Sequence, residues 1–319
     1  MTPLKNNILN KEINMKTLQI ILFLLSFTMG FPTLNLIKAQ NIKTFVTSDG
    51  EKLYYTSTGK GQRVLMLPPG PGASVNVLKS WADSLSKHFE CILLEQRGTG
   101  LSSNVKLDST TINLKRAVKD IEDLRVHLGS SPLLICGISW GGALAQAYAA
   151  SYPLNVKKMV LVSSLGPDRS LFSAYRDNGN ARKCQNEIDS LEYWNKQPGS
   201  EESRIQRGVF SLTPYFFDRT IGKKVLKEIF IHTTINPQMS NLMWKDLNMN
   251  YDVKSTLKDY KGECIVIKPR QDIMPEEMSY QIKDVLPQTK FIVIEKCGHF
   301  PDMEKPKEFF PILRQSLND

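Results

Sequence analysis

Ser139 stands in the run Gly137-Ile138-Ser139-Trp140-Gly141-Gly142, with a glycine two residues to either side. A serine hydroxyl is a poor nucleophile until a base takes its proton, and that base needs an acid to orient it. The spacing suits a sharp strand-to-helix turn. Glycines at the flanking positions let neighbouring backbones close in and leave the serine at the apex. The surroundings agree: the apolar run Leu133-Leu134-Ile135-Cys136 leads into the motif, and a small-residue stretch from Ala143 to Ala150 leads out of it. Such a turn also aims the first N–H groups of the outgoing helix at the reaction centre.

In this arrangement the partners follow the serine in chain order, acid before histidine. The chain has 4 histidines. His88 and His127 precede the serine, and His232 falls in a segment that interrupts the strand pattern. His299, in Lys296-Cys297-Gly298-His299-Phe300, follows the last strand candidate, where a loop can carry it over the serine, and it is the expected base. Asp272 follows the strand candidate before that one, in Lys268-Pro269-Arg270-Gln271-Asp272-Ile273-Met274-Pro275, and is the expected acid. Asp259 and Asp284 fit less well because they lie in helix-like surroundings. Asp272 would hold the His299 tautomer and stabilise the imidazolium without taking the proton. The Trp140 N–H is the expected first donor to the oxyanion, with a second from the loop Leu67-Pro68-Pro69-Gly70-Pro71-Gly72.

These residues need a scaffold, and the pattern supplies one. Phe45-Val46-Thr47 and Leu53-Tyr54-Tyr55-Thr56 flank Asp49-Gly50 and read as a hairpin. Short apolar runs follow at Val64–Leu67, Cys91–Leu94, Leu133–Cys136, Met159–Val162, Ile265–Ile267 and Phe291–Ile294. They are apolar on both faces, as strands between two helix layers must be. Amphipathic stretches near Val75–Lys87, Leu114–Leu128, Ala143–Ala149, Glu276–Val285 and Pro306–Leu317 lie between them. The alternation predicts a mostly parallel sheet with helices on both faces. From Leu165 to about Tyr251 the alternation stops, and charged, aromatic, helix-like sequence replaces it, including Trp194, Phe210, Tyr215, Phe216, Phe217 and Trp244. We read residues 165–251 as an inserted helical lid between two parts of one core, 40–164 and 252–319.

The formal net charge is +9 over 319 residues, but residues 1–39 hold Lys5, Lys11, Lys16 and Lys38 against Glu12, so without them it is +6. With no dense basic cluster interleaved with aromatics, nucleic-acid binding is not expected. Met15-Lys16, the apolar run from Leu18 to Phe31 and Lys38-Ala39-Gln40-Asn41 have the order of a secretory leader ending near Ala39. Export, to a periplasm or the medium, is therefore expected, with no stable membrane span once the leader is removed. The 5 cysteines, Cys91, Cys136, Cys184, Cys264 and Cys297, fit no metal spacing and no dense disulfide framework. Gly98-Thr99-Gly100 lacks the third glycine of a dinucleotide fingerprint, and Glu95 and Arg97 beside it read as a structural ion pair or as loop hydrogen bonds. No cofactor or metal is expected.

Four stretches resemble the proline iminopeptidase-like branch of the α/β hydrolases. Pro68-Pro69-Gly70-Pro71-Gly72 stands where that branch has His-Gly-Gly-Pro-Gly, and Glu95-Gln96-Arg97-Gly98-Thr99-Gly100-Leu101-Ser102 matches Asp-Gln-Arg-Gly-x-Gly-x-Ser. Gly137 to Gly142 with Trp140, and Gly298-His299 followed by Glu304-Lys305-Pro306, complete the match, which covers about 45–165 and 260–315. The resemblance implies the α/β-hydrolase fold, Gly70 as the second oxyanion donor and a cis bond before Pro71. It also implies release of an N-terminal proline or other small residue from short peptides, with lid acids holding the free amine. Glu187, Asp189, Glu192, Glu201, Glu202 and Asp218 are available for that task. Pro68 and Pro69 depart from the pattern and have no N–H to donate. A donor lost there would cost roughly 10²–10³ in rate. Two alternatives stand beside the peptidase: an esterase or other small-molecule hydrolase on the same triad, and a binding protein that kept the fold without the activity.

Overall fold

The computed structural model describes residues 41–197 and 199–318, and the leader expected over residues 1–39 lies outside the described residues. Eight strands form one sheet: β1 (Asn41–Val46), β2 (Lys52–Thr58), β3 (Gln62–Leu67), β4 (Phe89–Leu94), β5 (Leu133–Ile138), β6 (Val156–Val162), β7 (Glu263–Pro269) and β8 (Lys290–Ile294). Their order across the sheet is β1-β2-β4-β3-β5-β6-β7-β8. β1 and β2 make the expected antiparallel hairpin, with Phe45 opposite Leu53, and β2 also pairs antiparallel with β4. All later pairings are parallel, so the central strands are buried on both faces.

Alternation of side chains divides the core into two layers. Leu65, Leu67, Ile135, Leu161 and Val266 point into one layer, with Ile121 and Leu124 of α2 (Leu114–His127) and with Met278 and Ile282 of α10 (Glu276–Val285). Val64, Met66, Cys136, Val160 and Ile267 point into the other, with Trp81 of α1 (Lys79–Leu85) and Phe309 of α12 (Pro306–Asn318). The helix α3 (Trp140–Ser151) is buried along ten consecutive residues, which explains its small, apolar composition.

Between β6 and β7 the chain runs through α4 (Phe172–Ala181), α5 (Gln185–Asn195), α6 (Glu201–Leu212), α7 (Arg219–His232), α8 (Pro237–Asn250) and the short α9 (Lys254–Leu257). Met239, Met243 and Leu247 seat α8 on the first layer, while Ile205, Val209, Leu226 and Phe230 of α6 and α7 join the second. The four-residue α11 (Pro301–Glu304) precedes α12.

The structure decides between the two readings of Glu95 and Arg97 in favour of loop hydrogen bonds, and it corrects one further expectation. Arg97 does not pair with Glu95. Its guanidinium donates to Asp120 at 2.7 Å and to Asp49 at 2.6 Å, tying the β1–β2 turn to α2, while Glu95 accepts from Ser74 and Thr99. Nor is there a cis peptide bond before Pro71 or elsewhere among the described residues. Cys91, Cys136, Cys264 and Cys297 are buried and unpaired, and Cys184 is exposed and unpaired. Among the described residues no helix is long and apolar enough to cross a membrane.

Candidate active site

β5 delivers Ser139 to the junction with α3 in a conformation few residues adopt, φ 54° and ψ −116°. Such backbone strain costs about 1–3 kcal/mol and persists only where the surroundings impose it. Here they do. The Ser139 N–H donates to the Val162 carbonyl of the neighbouring strand at 2.9 Å, and the Ser139 carbonyl accepts from Gly142 at 3.0 Å. A Cβ on Gly141 would stand 2.3 Å from the Leu67 carbonyl oxygen, and one on Gly137 would stand 2.3 Å from the Gly141 oxygen. Only glycine lets β3, β5 and α3 approach this closely. Trp140 opens α3, where a backbone N–H has no acceptor one turn back. Its indole is fully buried and donates to Gln96 at 2.9 Å, which anchors the helix start to the loop after β4.

Asp272 and His299, the expected acid and base, arrive on loops after β7 and β8. His299 Nδ1 lies 2.7 Å from Asp272 Oδ1, and both side chains are almost completely buried. That pairing leaves Nε2 as the nitrogen able to accept a proton. Burial pushes the Asp272 carboxyl up, but the charge and hydrogen bond of His299, then Lys268 and the Met274 N–H, more than offset it and hold it at about 2. Asp272 is thus a carboxylate throughout the neutral range.

Side chains far away in sequence fix both loops. Arg182, just past α4, donates to the Gln271 carbonyl and, at 3.0 Å, to the Asp272 carbonyl. Asn178 of α4 donates to the Ile273 carbonyl at 3.0 Å. The loops also hold each other, since the Gln271 N–H donates to the Cys297 carbonyl at 3.0 Å and the Cys297 N–H to the Gln271 side chain at 2.9 Å. The His299 N–H donates to the Tyr215 carbonyl at 2.8 Å, and Ser163 donates to the His299 carbonyl at 2.8 Å. Glu304 accepts from Gly298 at 2.7 Å through one oxygen, and from Phe217 and Asp218 at 3.0 and 2.9 Å through the other. One carboxylate therefore staples the histidine loop to the turn between α6 and α7.

Ser139, His299 and Gly70 line a single cavity of about 180 Å³. No hydrogen bond joins the Ser139 hydroxyl to the His299 ring among those the described residues form, so the two share the cavity without yet being linked. Catalytic hydrogen bonds of this kind often tighten only when substrate is present. Gly70 has φ 74° and open space where a Cβ would stand, and the residue borders the cavity. Pro69 lines the same wall and Pro68 is buried behind it.

The remaining walls are Tyr175, Tyr215, Phe230, Trp244 and Phe300 together with aliphatic side chains such as Leu226, Ile229 and Met303. Two aromatics singled out in the sequence, Tyr215 and Trp244, are thus in the wall. Phe216 packs against Phe300 at 5.2 Å between ring centres, Trp194 against Tyr193 at 5.0 Å, and Phe217 is half exposed. Among the described residues no carboxylate lines the cavity. Of the six acids considered for an amine, Glu187 is buried against Arg219, Glu201 pairs with Arg204, and Asp218 caps α7. Glu202 accepts from Gln206, Asp189 from Gln185, and Glu192 is likewise absent from the lining. His88, His127 and His232 are exposed, as are Asp259 and Asp284.

Sequence reasoning did not find Arg182, Asn178, Tyr175 or Lys268. Glu304 was visible only as part of a motif, without a task. Among the described residues no group of histidine, cysteine and acidic side chains is arranged to hold a metal ion.

A twisted, mostly parallel sheet with a strained serine at a strand end and an Asp–His pair on later loops defines an α/β hydrolase. Residues 62–183 match the family model of the alpha/beta hydrolase fold. A hydrolase of this fold family from Bacillus anthracis superposes with a TM-score of 0.70 at 19% identity, covering 88% of this chain and 99% of that one. An esterase from Exiguobacterium antarcticum does so with a TM-score of 0.68 at 17% identity, covering 87% and 99%. In sequence the chain is similar to a proline iminopeptidase of Heyndrickxia coagulans, 28% identical over 275 residues, which span 83% of this chain and 93% of the relative. The chain has the α/β-hydrolase fold and in sequence is similar to proline iminopeptidases.

Proposed function

We propose that this enzyme is a serine esterase acting on substrates that present a small, uncharged, apolar group to the cavity. His299 takes the Ser139 proton at Nε2, the serine oxygen attacks the carbonyl carbon, and the N–H groups of Trp140 and Gly70 hold the resulting oxyanion. His299 then protonates the departing alcohol, and water attacking the acyl-enzyme restores the serine by the same route. Asp272, charged and buried, stabilises the imidazolium formed in each half.

One observation carries the choice of substrate: Ser139 and His299 open into a cavity walled largely by aromatic and aliphatic side chains, with no carboxylate among the described residues. The ammonium of a peptide N-terminus moved there would lose its water without gaining a counter-ion, at a cost of several kcal/mol. Aromatic faces return only about 0.5–2 kcal/mol of that. The volume of about 180 Å³ is also small. It lies below the roughly 300–1,000 Å³ of drug-sized sites, which suits a short acyl chain.

A second reading, release of N-terminal proline from peptides, is favoured by the relative in Heyndrickxia coagulans and by its coverage of nearly the whole of that protein. A panel of short-chain aryl esters and aminoacyl-arylamides separates the two. Ester turnover without turnover of the prolyl arylamide is expected, and the reverse would replace the ester reading with the peptidase. Labelling of Ser139 by a fluorophosphonate tests both against a binding protein without activity. Export belongs to the same proposal, on the leader-like order of residues 15–39, and N-terminal sequencing of protein recovered from the native host checks it.

A further inference from the structure

β7 carries a lysine into the relay. The Lys268 side chain is 7% exposed, and its Nζ lies 3.9 Å from Asp272 Oδ2. Its one hydrogen bond goes to the Met274 carbonyl at 2.7 Å. The two oxygens of Asp272 are used unequally. Oδ1 meets His299 Nδ1 at 2.7 Å and accepts from the Met274 N–H at 3.1 Å, whereas Oδ2 is buried and accepts no hydrogen bond from the described residues. A cation therefore faces the oxygen that no donor serves.

That cation is out of place in its strand, where Ile265, Val266 and Ile267 are all buried and apolar. Burying an ammonium costs several kcal/mol, and a neutral donor would satisfy the Met274 carbonyl equally well. The charge itself is what the position adds. Around it stand Asp272 on the loop that follows β7, Glu276 and Glu277 at the start of α10, and Arg182 beyond α4. Around the Asp272–His299 pair stand the Tyr175 and Tyr215 hydroxyls, which bond each other at 2.8 Å, and the carboxyls of Asp302 and Glu304. Burial draws the Lys268 ammonium down from its ordinary range, while Asp272 and Glu276 act to keep its proton on.

We propose that Lys268 is a positioning residue of the relay: its ammonium shares the Asp272 carboxylate with His299, so that the imidazole stays neutral and able to accept the Ser139 proton in more acidic solution. The sign follows from charge alone. An imidazolium is stabilised by Asp272 and opposed by a second cation on the same carboxylate, so removing Lys268 leaves the imidazolium better stabilised. The base then becomes protonated, and inactive, at a higher pH.

This inference rests on Ser139 being the nucleophile, and the test keeps the two apart. The rate of fluorophosphonate labelling at Ser139 is measured against pH for the wild type, Lys268→Gln and Lys268→Met. Glutamine keeps a donor for Met274 without the charge, and methionine keeps neither. Both variants should move the acidic limb of the profile to higher pH by roughly half a unit to one unit. A wild-type limb in Lys268→Gln, with loss of melting temperature in Lys268→Met only, would make Lys268 a mere prop for the loop and overturn the proposal. Failure of the wild type to label would overturn the hydrolase reading, and the relay role with it. Should neither variant fold, the ¹³Cε shift of Lys268 in the wild type decides: an ammonium from about pH 5 to about pH 8 is expected, and a neutral amine there overturns the proposal.

Discussion

Ser139 and the Asp272–His299 pair face one cavity but are held there by different means. The serine is set mainly by backbone: a strand, a helix and two glycines pressed against carbonyl oxygens at distances no side chain tolerates. The pair hangs on loops whose backbones are pinned by side chains, with Arg182 and Asn178 gripping the acid loop and Glu304 gripping the histidine loop. A backbone-built element is rigid and fails all at once. One pinned by side chains can be loosened one contact at a time, and most of its pins come from the segment between β6 and β7. The chemistry is thereby coupled to the helices that also wall the cavity.

This contrast can be broken at several points. Asp272→Asn should lower kcat/KM for an aryl ester by about 10⁴ by presenting the wrong partner to the imidazole, with the fold retained. Gly141→Ala attacks the backbone-built half. Its methyl would meet the Leu67 carbonyl oxygen at 2.3 Å, so labelling of Ser139 should fall at least about a hundredfold and stability by about 1–3 kcal/mol together. Arg182→Met attacks the pinned half and should lower kcat about tenfold while moving the melting temperature little. If Arg182→Met cost as much stability as Gly141→Ala, the distinction between the halves would collapse.

A further effect is on acid stability. The Asp272 carboxyl ordinarily titrates at 3.8 and is held at about 2 in the folded protein. Its contribution, about 2 kcal/mol, is complete above the ordinary value and is lost as the pH falls through the folded one. Acid unfolding curves of the wild type and Asp272→Asn should therefore converge as the pH falls from about 4 to about 2.

The same contrast explains what the sequence made visible. The elbow is written within one continuous stretch, strand, glycines and helix in order, and Leu133 to Ser151 reads directly as structure. Asp272 and His299, which the structure places 2.7 Å apart, were legible because each follows a strand in the order the proposed chemistry requires. Their pins were not found because Arg182 and Asp272 are 90 residues apart, and Glu304 and Phe217 are 87 apart. A side chain donating to a distant carbonyl leaves no mark on periodicity. The six acids show the converse: their charge was plain, but only the fold decides that Glu187 turns inward to Arg219 and away from the cavity.

The cysteines turn this architecture into a clock. Cys184 is open to solvent, while Cys91, Cys136 and Cys264 lie on β4, β5 and β7 and Cys297 lies in the histidine loop. Burial raises the thiols of Cys91 and Cys264 to about 12, and those of Cys136 and Cys297 higher still, so none of the four reacts until its surroundings open. A water-soluble alkylating reagent therefore modifies one position at once and the others on a schedule set by local unfolding. Modification of Cys297 ahead of Cys136 would date the release of the histidine loop before the sheet parts. The wild-type chain thus reports the order of its own disassembly without any engineered label.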